Sequence, residues 1–112
     1  MKVIFLDKDG VLNLDEYFDM VYACEALEHA IDIESAIREL ARVTKKGGII
    51  VIIDKNKEKL GLFEIEEWEQ WFEEESLKKI LLNYSSNVEV RKKISYEESE
   101  YGLFYAWIAK VK

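Results

Sequence analysis

The sequence predicts an α/β fold in which parallel strands are followed by a C-terminal antiparallel hairpin. Short β-branched and aromatic runs alternate with amphipathic helical stretches along the chain. Residues 49–53 are apolar at every position, which is typical of a central parallel strand covered on both faces. Two further strand-forming segments, 88–91 and 103–109, follow one another and are joined by an acidic loop, as expected for a hairpin.

The first two predicted strands lie near the start of the sequence. Residues 3–6 form a β-branched and aromatic run that ends in the polar turn 7–10. Residues 18–23 form the second run, after a polar break. Both runs are short and apolar, so we expect them to be buried strands of the sheet.

A helix is predicted next, because apolar residues recur at helical spacing. The residues of this stripe are Ile33, Ala36, Ile37, Leu40 and Ala41. Helical character already begins at Glu25. Asp32 is the predicted N-cap of the main helix, and Gly47 and Gly48 are predicted to end it.

The region after the central strand is predicted to be helical. The strand ends at Asp54, and the apolar residues that follow include an aromatic cluster of Trp68, Trp71 and Phe72. This cluster belongs to the core or to an interface, or it frames a substrate at the edge where open α/β sheets bind ligands. Ser76 is the predicted cap of a further helix.

Composition limits the classes of protein that this sequence can represent. The chain has 112 residues, enough for one domain over residues 1–112, and its 49% apolar content suffices for a core. A formal charge of −7 argues against binding nucleic acid chiefly through phosphate neutralisation. The single cysteine excludes an internal disulfide and favours a reducing compartment. No apolar run is long enough to span a membrane and no signal peptide is recognised, so we expect a cytoplasmic protein.

From Tyr17 onward the sequence resembles the C-terminal half of a class I S-adenosylmethionine (SAM)-dependent methyltransferase of the small-molecule type. The matching segments are FDMV at 18–21, EALEHAID at 25–32, RELARVTKKGG at 38–48 and GLFYA at 102–106. The resemblance implies a partial Rossmann-like methyltransferase sheet that starts near the family's third strand. It also implies SAM as the cofactor and a small molecule as the methyl acceptor.

The resemblance leaves the N-terminal half of that family without a counterpart. The five glycines, at 10, 47, 48, 61 and 102, do not form the Gly-x-Gly loop that lets backbone amides approach SAM. A sheet that starts at the third strand would expose an unpaired inner edge. We therefore expect a second polypeptide to supply the missing half and to share the cofactor, or two copies to pair as a homodimer.

The resemblance also implies roles for individual residues. Asp7 and Lys8 would border the adenine of SAM, and Cys24 and Glu25 would line the methyl-transfer pocket. The predicted catalytic residues, Glu28 and His29, face the acceptor, with His29 as a general base because an imidazole titrates near neutral pH.

A metal site is an alternative use of the same helical segment. Glu25, Glu28 and His29 would share one face of a helix, and two carboxylates with an imidazole suit Mg²⁺ or Mn²⁺. Their spacing resembles the metal-binding segment of small-RNA and ubiquinone-pathway O-methyltransferases. The alternative without a metal is the start of a helix, where acidic side chains interact favourably with the positive end of the helix dipole.

Two further functional interpretations remain open. One is a catalytically inactive methyltransferase-like module that serves as a partner or a dimerisation unit. The other rests on the loop DKDGVLN at 7–13, which resembles the nucleophile loop of haloacid-dehalogenase-type phosphatases. In such a phosphatase Asp7 would attack phosphorus and Asp9 would handle the proton of the leaving group, with magnesium between them.

Overall fold

A computed structural model describes residues 3–5, 16–27, 32–55, 72–94 and 104–112 of the chain. The remaining residues, 1–2, 6–15, 28–31, 56–71 and 95–103, lie outside these ranges. The described elements are β1 (Val3–Phe5), β2 (Phe18–Cys24), α1 (Ile33–Val43), β3 (Thr44–Lys55), α2 (Glu74–Leu82), β4 (Ser85–Ile94) and β5 (Phe104–Val111). None of the helices in the described ranges is both long and apolar enough to cross a membrane.

The five strands form one sheet in the order β1-β2-β3-β5-β4. β1, β2 and β3 run parallel to one another, whereas β5 is antiparallel to both β3 and β4. The predicted α/β class, with parallel strands and a C-terminal antiparallel hairpin, is therefore confirmed. β3 is the central strand of the sheet. Its sequence predicts this position, because a strand that is apolar at every residue needs cover on both faces.

Helix α1 begins where the sequence predicts. The Asp32 carboxylate accepts hydrogen bonds from the Glu34 and Ser35 amides at 3.1 and 3.3 Å, which satisfies two of the donors that a helix start leaves open. The Ser35 hydroxyl also donates to Asp32 and lowers the pKa of this carboxyl. α1 then buries one stripe made of Ile37, Leu40 and Val43.

The end of α1 differs from the prediction, because the glycine pair does not stop it. The helix passes directly into β3 at Thr44, whose hydroxyl donates to the Leu40 carbonyl at 2.7 Å. Gly47, with φ +81°, and Gly48 lie inside β3, where its pairing with β2 slips between Phe18 and Met20. A Cβ on Gly48 would lie 2.8 to 2.9 Å from two backbone oxygens and a methyl group. The glycines thus serve a strand bulge.

The predicted cap of α2 is also wrong. The helix begins at Glu74 with Glu73 at the N-cap position, and Ser76 lies in the first turn. The Ser76 hydroxyl donates to the Glu73 carboxylate at 3.3 Å and makes no capping contact in the described structure. The acidic residues before Ser76 start the helix earlier, because they favour the positive end of its dipole.

The core lies between the two helices and one face of the sheet. Leu77 and Leu81 of α2 pack there together with the stripe of α1. Trp107 of β5 is fully buried, and its indole donates to the Glu74 carbonyl at 3.1 Å. Phe72 packs edge-on against Trp107 with ring centroids 6.4 Å apart, which makes this member of the predicted aromatic cluster a core residue. Trp68 and Trp71 lie outside the described residues.

Candidate active site at the carboxyl edge of the sheet

The carboxyl ends of the parallel strands meet at one edge of the sheet, where open α/β folds bind ligands. β2 ends at Cys24, which pairs in register with Ile53 of β3. β3 continues to Asp54 and Lys55 before it ends. Polar side chains of two neighbouring strands are thereby brought to the same edge, and Cys24 is half-buried there.

Glu25 leaves β2 in a turn and not at the start of a helix, so the prediction that helical character begins at this residue is wrong. Its φ is +53°, in the left-handed region that costs a residue with a Cβ about 1–2 kcal/mol. The Glu25 amide donates to the Ile53 carbonyl at 2.8 Å, so the turn is tied to the neighbouring strand. Left-handed backbones at residues other than glycine concentrate at functional sites, which makes this turn a candidate.

The side chain of Glu25 lies beside a cation. Its carboxylate is 3.9 Å from the Lys55 ammonium, and the two side chains are 25% and 17% exposed. Partial burial reduces screening by water, so the pair interacts more strongly than a fully exposed one. The Lys55 ammonium therefore offsets part of the negative charge of the Glu25 carboxylate, which the metal hypothesis assigns to a divalent ion.

Asp54 is the most enclosed polar group at this edge. Its side chain is fully buried, and one carboxylate oxygen accepts a hydrogen bond from the Lys55 amide at 3.0 Å. The Lys55 carbonyl accepts from the Phe72 amide at 3.1 Å, which ties the segment before α2 to the end of β3. A buried carboxylate needs such partners because desolvation is costly. The hydrogen bond from the Lys55 amide holds the Asp54 carboxylate against the backbone at the end of β3.

The structure places only part of the predicted site. Cys24 and Glu25 lie at the carboxyl edge of the sheet, and their place in a methyl-transfer pocket stays a prediction. Asp7, Lys8, Glu28 and His29, together with Asp9 of the phosphatase hypothesis, lie outside the described residues. Among the residues that are described, no three potential metal ligands form a group.

Sequence reasoning did not assign Asp54 and Lys55 to the site. The available signal was a polar pair directly after a strand that is apolar at every position. The contact between Lys55 and Glu25 joins residues 30 positions apart in the chain, and only the parallel pairing of β2 with β3 brings them together.

The opposite edge of the sheet carries a depression of about 570 Å³. It lies beside the amino end of β3 and the ends of α1 and α2. Its charged lining consists of Arg38, Arg42, Lys46, Lys112, Glu16 and Glu39. Gly47 and Gly48 are at this edge as well, on the far side of the sheet from Cys24 and Glu25. The glycine pair is thus not placed to cradle a ligand at the carboxyl edge.

Comparisons with known proteins point to one class of fold. A family model described as a methyltransferase domain matches residues 9–52, which include β2, α1 and most of β3. No curated protein matches the chain.

Solved structures match over almost the whole chain. A SAM-dependent methyltransferase from Thermotoga maritima superposes with a TM-score of 0.75 at 17% identity, over 94% of this chain and 61% of its own. One from Methanosarcina mazei gives a TM-score of 0.69 at 17% identity, over 95% and 65%. A Haloferax volcanii complex of the Trm112 methyltransferase activator with a candidate methyltransferase gives 0.69 at 16% identity, over 94% and 59%. The chain thus has the Rossmann-like fold of these methyltransferases and spans about three fifths of their length.

Proposed function

We propose that this chain is one part of a class I SAM-dependent methyltransferase and supplies one wall of its active site. The observation that carries the proposal is the fit of 94% of the chain to 61% of a SAM-dependent methyltransferase. The match of residues 9–52 to a methyltransferase domain supports it independently, since that range leads to the carboxyl edge through β2 and β3.

We assign four residues to one side of a SAM site. SAM, when bound, supplies a methyl group on a positively charged sulfur. In this proposal Cys24 and Glu25 line the transfer pocket, and Asp7 and Lys8 border the adenine. In this proposal the turn at Glu25 presents its carboxylate to the cationic sulfur, and the Lys55 ammonium offsets part of that negative charge. Aligning the reacting groups is the main contribution expected of the protein.

The acceptor side of the site is assigned to the next residues along the chain. We propose His29 as the base that removes a proton from a small-molecule acceptor, with Glu28 beside it. A Mg²⁺ or Mn²⁺ ion on Glu25, Glu28 and His29 remains a secondary proposal. The Lys55 ammonium, 3.9 Å from the Glu25 carboxylate, disfavours a divalent cation there unless the lysine turns away.

The proposal includes a second polypeptide that carries the glycine loop and shares SAM. Two observations support it. The relatives in solved structures extend well beyond the part that this chain covers, and Gly47 and Gly48 are at the wrong edge of the sheet. The Haloferax volcanii complex shows that a methyltransferase-like protein of this fold is found with an activator protein. A homodimer is the alternative assembly. The proposed location is the cytoplasm, supported by the presence of one cysteine in the whole sequence.

The position of β1 bears on how further strands would enter the sheet. β1 pairs with β2 through three residues, Val3–Phe5, so the prediction that this edge of the sheet is unpaired is wrong. In the doubly wound order 3-2-1-4-5-6, strand 4 lies next to strand 1, and strand 3 lies two places further out. If β1 is the third strand, as predicted, entry of two partner strands moves it outwards by about 10 Å, two strand spacings.

Calorimetry with SAM tests the proposal directly. We expect the isolated chain to bind SAM weakly or not at all, and to bind it after co-expression with the polypeptide encoded immediately upstream. Glu25→Gln in the complex should weaken binding, whereas Glu89→Gln on the distant strand β4 should not. Tight binding by an isolated monomer would refute the shared site. A complex that forms but never binds SAM would indicate the inactive module instead.

A further inference from the structure

The depression at the amino edge of the sheet lies beside the C-terminal ends of α1 and α2. Its volume of about 570 Å³ is within the size range of small-molecule sites. Lys46 in its lining and Ile53, the partner of Cys24, are both on β3. At about 3.3 Å per residue, the depression is roughly 20 Å from the candidate active site. A small ligand bound there would not touch that site.

The side chains that line the depression differ in charge from the chain as a whole. Four of them are cationic and two are acidic, which gives a local charge of +2, whereas the whole chain carries −7. The cations come from three separate places: Arg38 and Arg42 from α1, Lys46 from β3, and Lys112 from the residue after β5. Cations that converge from separate elements on one concavity favour an anionic ligand.

The acidic side chains of the lining leave most of this positive charge in place. Glu39 forms a salt bridge with Arg42, so these two charges offset each other. Glu16 is the second acid, against three remaining cations. Lys46 and Lys112 are exposed and form no salt bridge within the described ranges. The net positive charge is therefore carried by side chains that a ligand can reach.

Basic residues near a helix C-terminus can serve only to satisfy the helix end, but the end of α1 already has other donors. Each of its last four carbonyls, those of residues 40–43, accepts a hydrogen bond. The donors are the hydroxyl and amide of Thr44 and the amides of Glu16 and Tyr17. No cationic side chain is therefore needed as a capping donor at this end.

The backbone around the depression is held in place before any ligand binds. The Lys112 amide donates to the Tyr84 carbonyl at 3.2 Å, and the amides of Asn83 and Tyr84 donate to carbonyls in the last turn of α2. Tyr84 also packs against the core. The lining side chains thus project from fixed backbone, which reduces the entropic cost of binding a ligand.

We propose that this depression binds a small anion that carries a phosphate group. The guanidinium of Arg38 has the planar fork that donates two parallel hydrogen bonds to phosphate oxygens, and Lys46 and Lys112 add positive charge. A nucleic acid strand would extend beyond the depression onto a chain of charge −7, which repels it. The site lies at the edge opposite Cys24 and Glu25, so the inference does not depend on the proposed function.

Inorganic pyrophosphate is the probe, and amide NMR spectra of the isolated chain report where it binds. We expect a dissociation constant below about 1 mM at low salt, and weaker binding as salt is added. The amides of Gly47 and Asn83 should shift, whereas the Glu25 amide at the carboxyl edge should not. Shifts confined to the carboxyl edge, or no binding at about 10 mM pyrophosphate, would overturn the proposal.

Two pairs of substitutions test the assigned side chains. Lys46→Gln should weaken pyrophosphate binding about five-fold, and Lys45→Gln is the matched control. Lys45 is outside the lining, and its ammonium lies 3.8 Å from the Asp19 carboxylate. Arg38→Gln should have the same effect as Lys46→Gln, with the exposed Arg91 of β4 replaced by Gln as its control. Equal losses in the lining and control variants would refute the site, since net charge alone would then explain binding.

Competition tests the class of anion. A short glutamate peptide should not displace pyrophosphate at the same concentration of negative charge. Displacement at a lower concentration would mean that the depression docks an acidic polypeptide segment, which overturns the assigned ligand. SAM binding by the co-expressed complex should be unchanged by Lys46→Gln, so this inference and the proposed function fail independently.

Discussion

The left-handed turn at Glu25 leads to a quantitative prediction of stability, because the backbone and the side chain of this residue contribute separately to the free energy of unfolding. Glu25→Ala keeps the Cβ that disfavours a φ of +53° and removes the carboxylate that pairs with Lys55. Glu25→Gly removes the same carboxylate but is free to adopt this backbone. Comparing the two variants isolates the backbone contribution, and Lys55→Met removes the ion pair without touching the turn.

The magnitudes follow from the structure. Loss of a partly buried ion pair costs about 0.5–1 kcal/mol of unfolding free energy. Glycine adopts the left-handed backbone without strain, which adds about 1–2 kcal/mol to the free energy of unfolding. It also makes the unfolded chain more flexible, which subtracts about 0.4–1 kcal/mol. Glu25→Gly should therefore be more stable than Glu25→Ala by about 0.8 kcal/mol. Lys55→Met should be as stable as Glu25→Ala.

Urea unfolding followed by circular dichroism measures these differences. With a urea dependence of about 1–3 kcal/mol per molar, the midpoints of the two Glu25 variants should differ by roughly 0.3–0.8 M. A Glu25→Gly protein that unfolds at or below the Glu25→Ala midpoint would refute the left-handed turn. In the SAM-binding complex both variants should lose affinity equally, since both lack the carboxylate.

Three further predictions concern residues that stabilise the sheet and the described helices. Gly48→Ala should destabilise the chain by about 1–3 kcal/mol in urea, because its Cβ would overlap backbone oxygens, whereas Gly47→Asn, which tolerates a left-handed backbone, should stay within about 0.5 kcal/mol. Trp107→Phe should cost about 1.5–3 kcal/mol by leaving a cavity and removing the hydrogen bond to Glu74, and an equal midpoint would contradict the indole contact. Asp32→Ala should lower stability at pH 7. Its lowered pKa means that the cap stabilises above the unfolded value near 3.8 and that the stabilisation is lost as pH falls through the folded pKa, so the two proteins should converge at low pH.

Local sequence signals predicted those elements whose causes are themselves local. The carboxylate of Asp32 bonds to amides two and three residues ahead, so its capping role follows from the adjacent sequence alone. The central place of β3 follows from its apolar run. Ser76 was misassigned because neighbouring acidic residues compete for the same helix start, and local preference does not decide between them.

The glycine pair shows the limit of local reasoning. Gly47 has the left-handed backbone that a helix end would require, yet it lies within β3. The reason is tertiary. β2 must pair with β3 across a slipped register, and Gly48 is the residue that tolerates the approach of the Asp19 carbonyl.

The sequence by itself determined the α/β class, the order of the elements, and the place of Cys24 and Glu25 at a strand end, because periodicity and caps are encoded within a few residues. Tertiary structure decided which distant groups meet. It placed Lys55 beside Glu25, buried Asp54 and moved the glycine pair to the opposite edge. It also put both described helices on one face of the sheet, since the pairing of strands, rather than spacing along the chain, sets which side chains share a face.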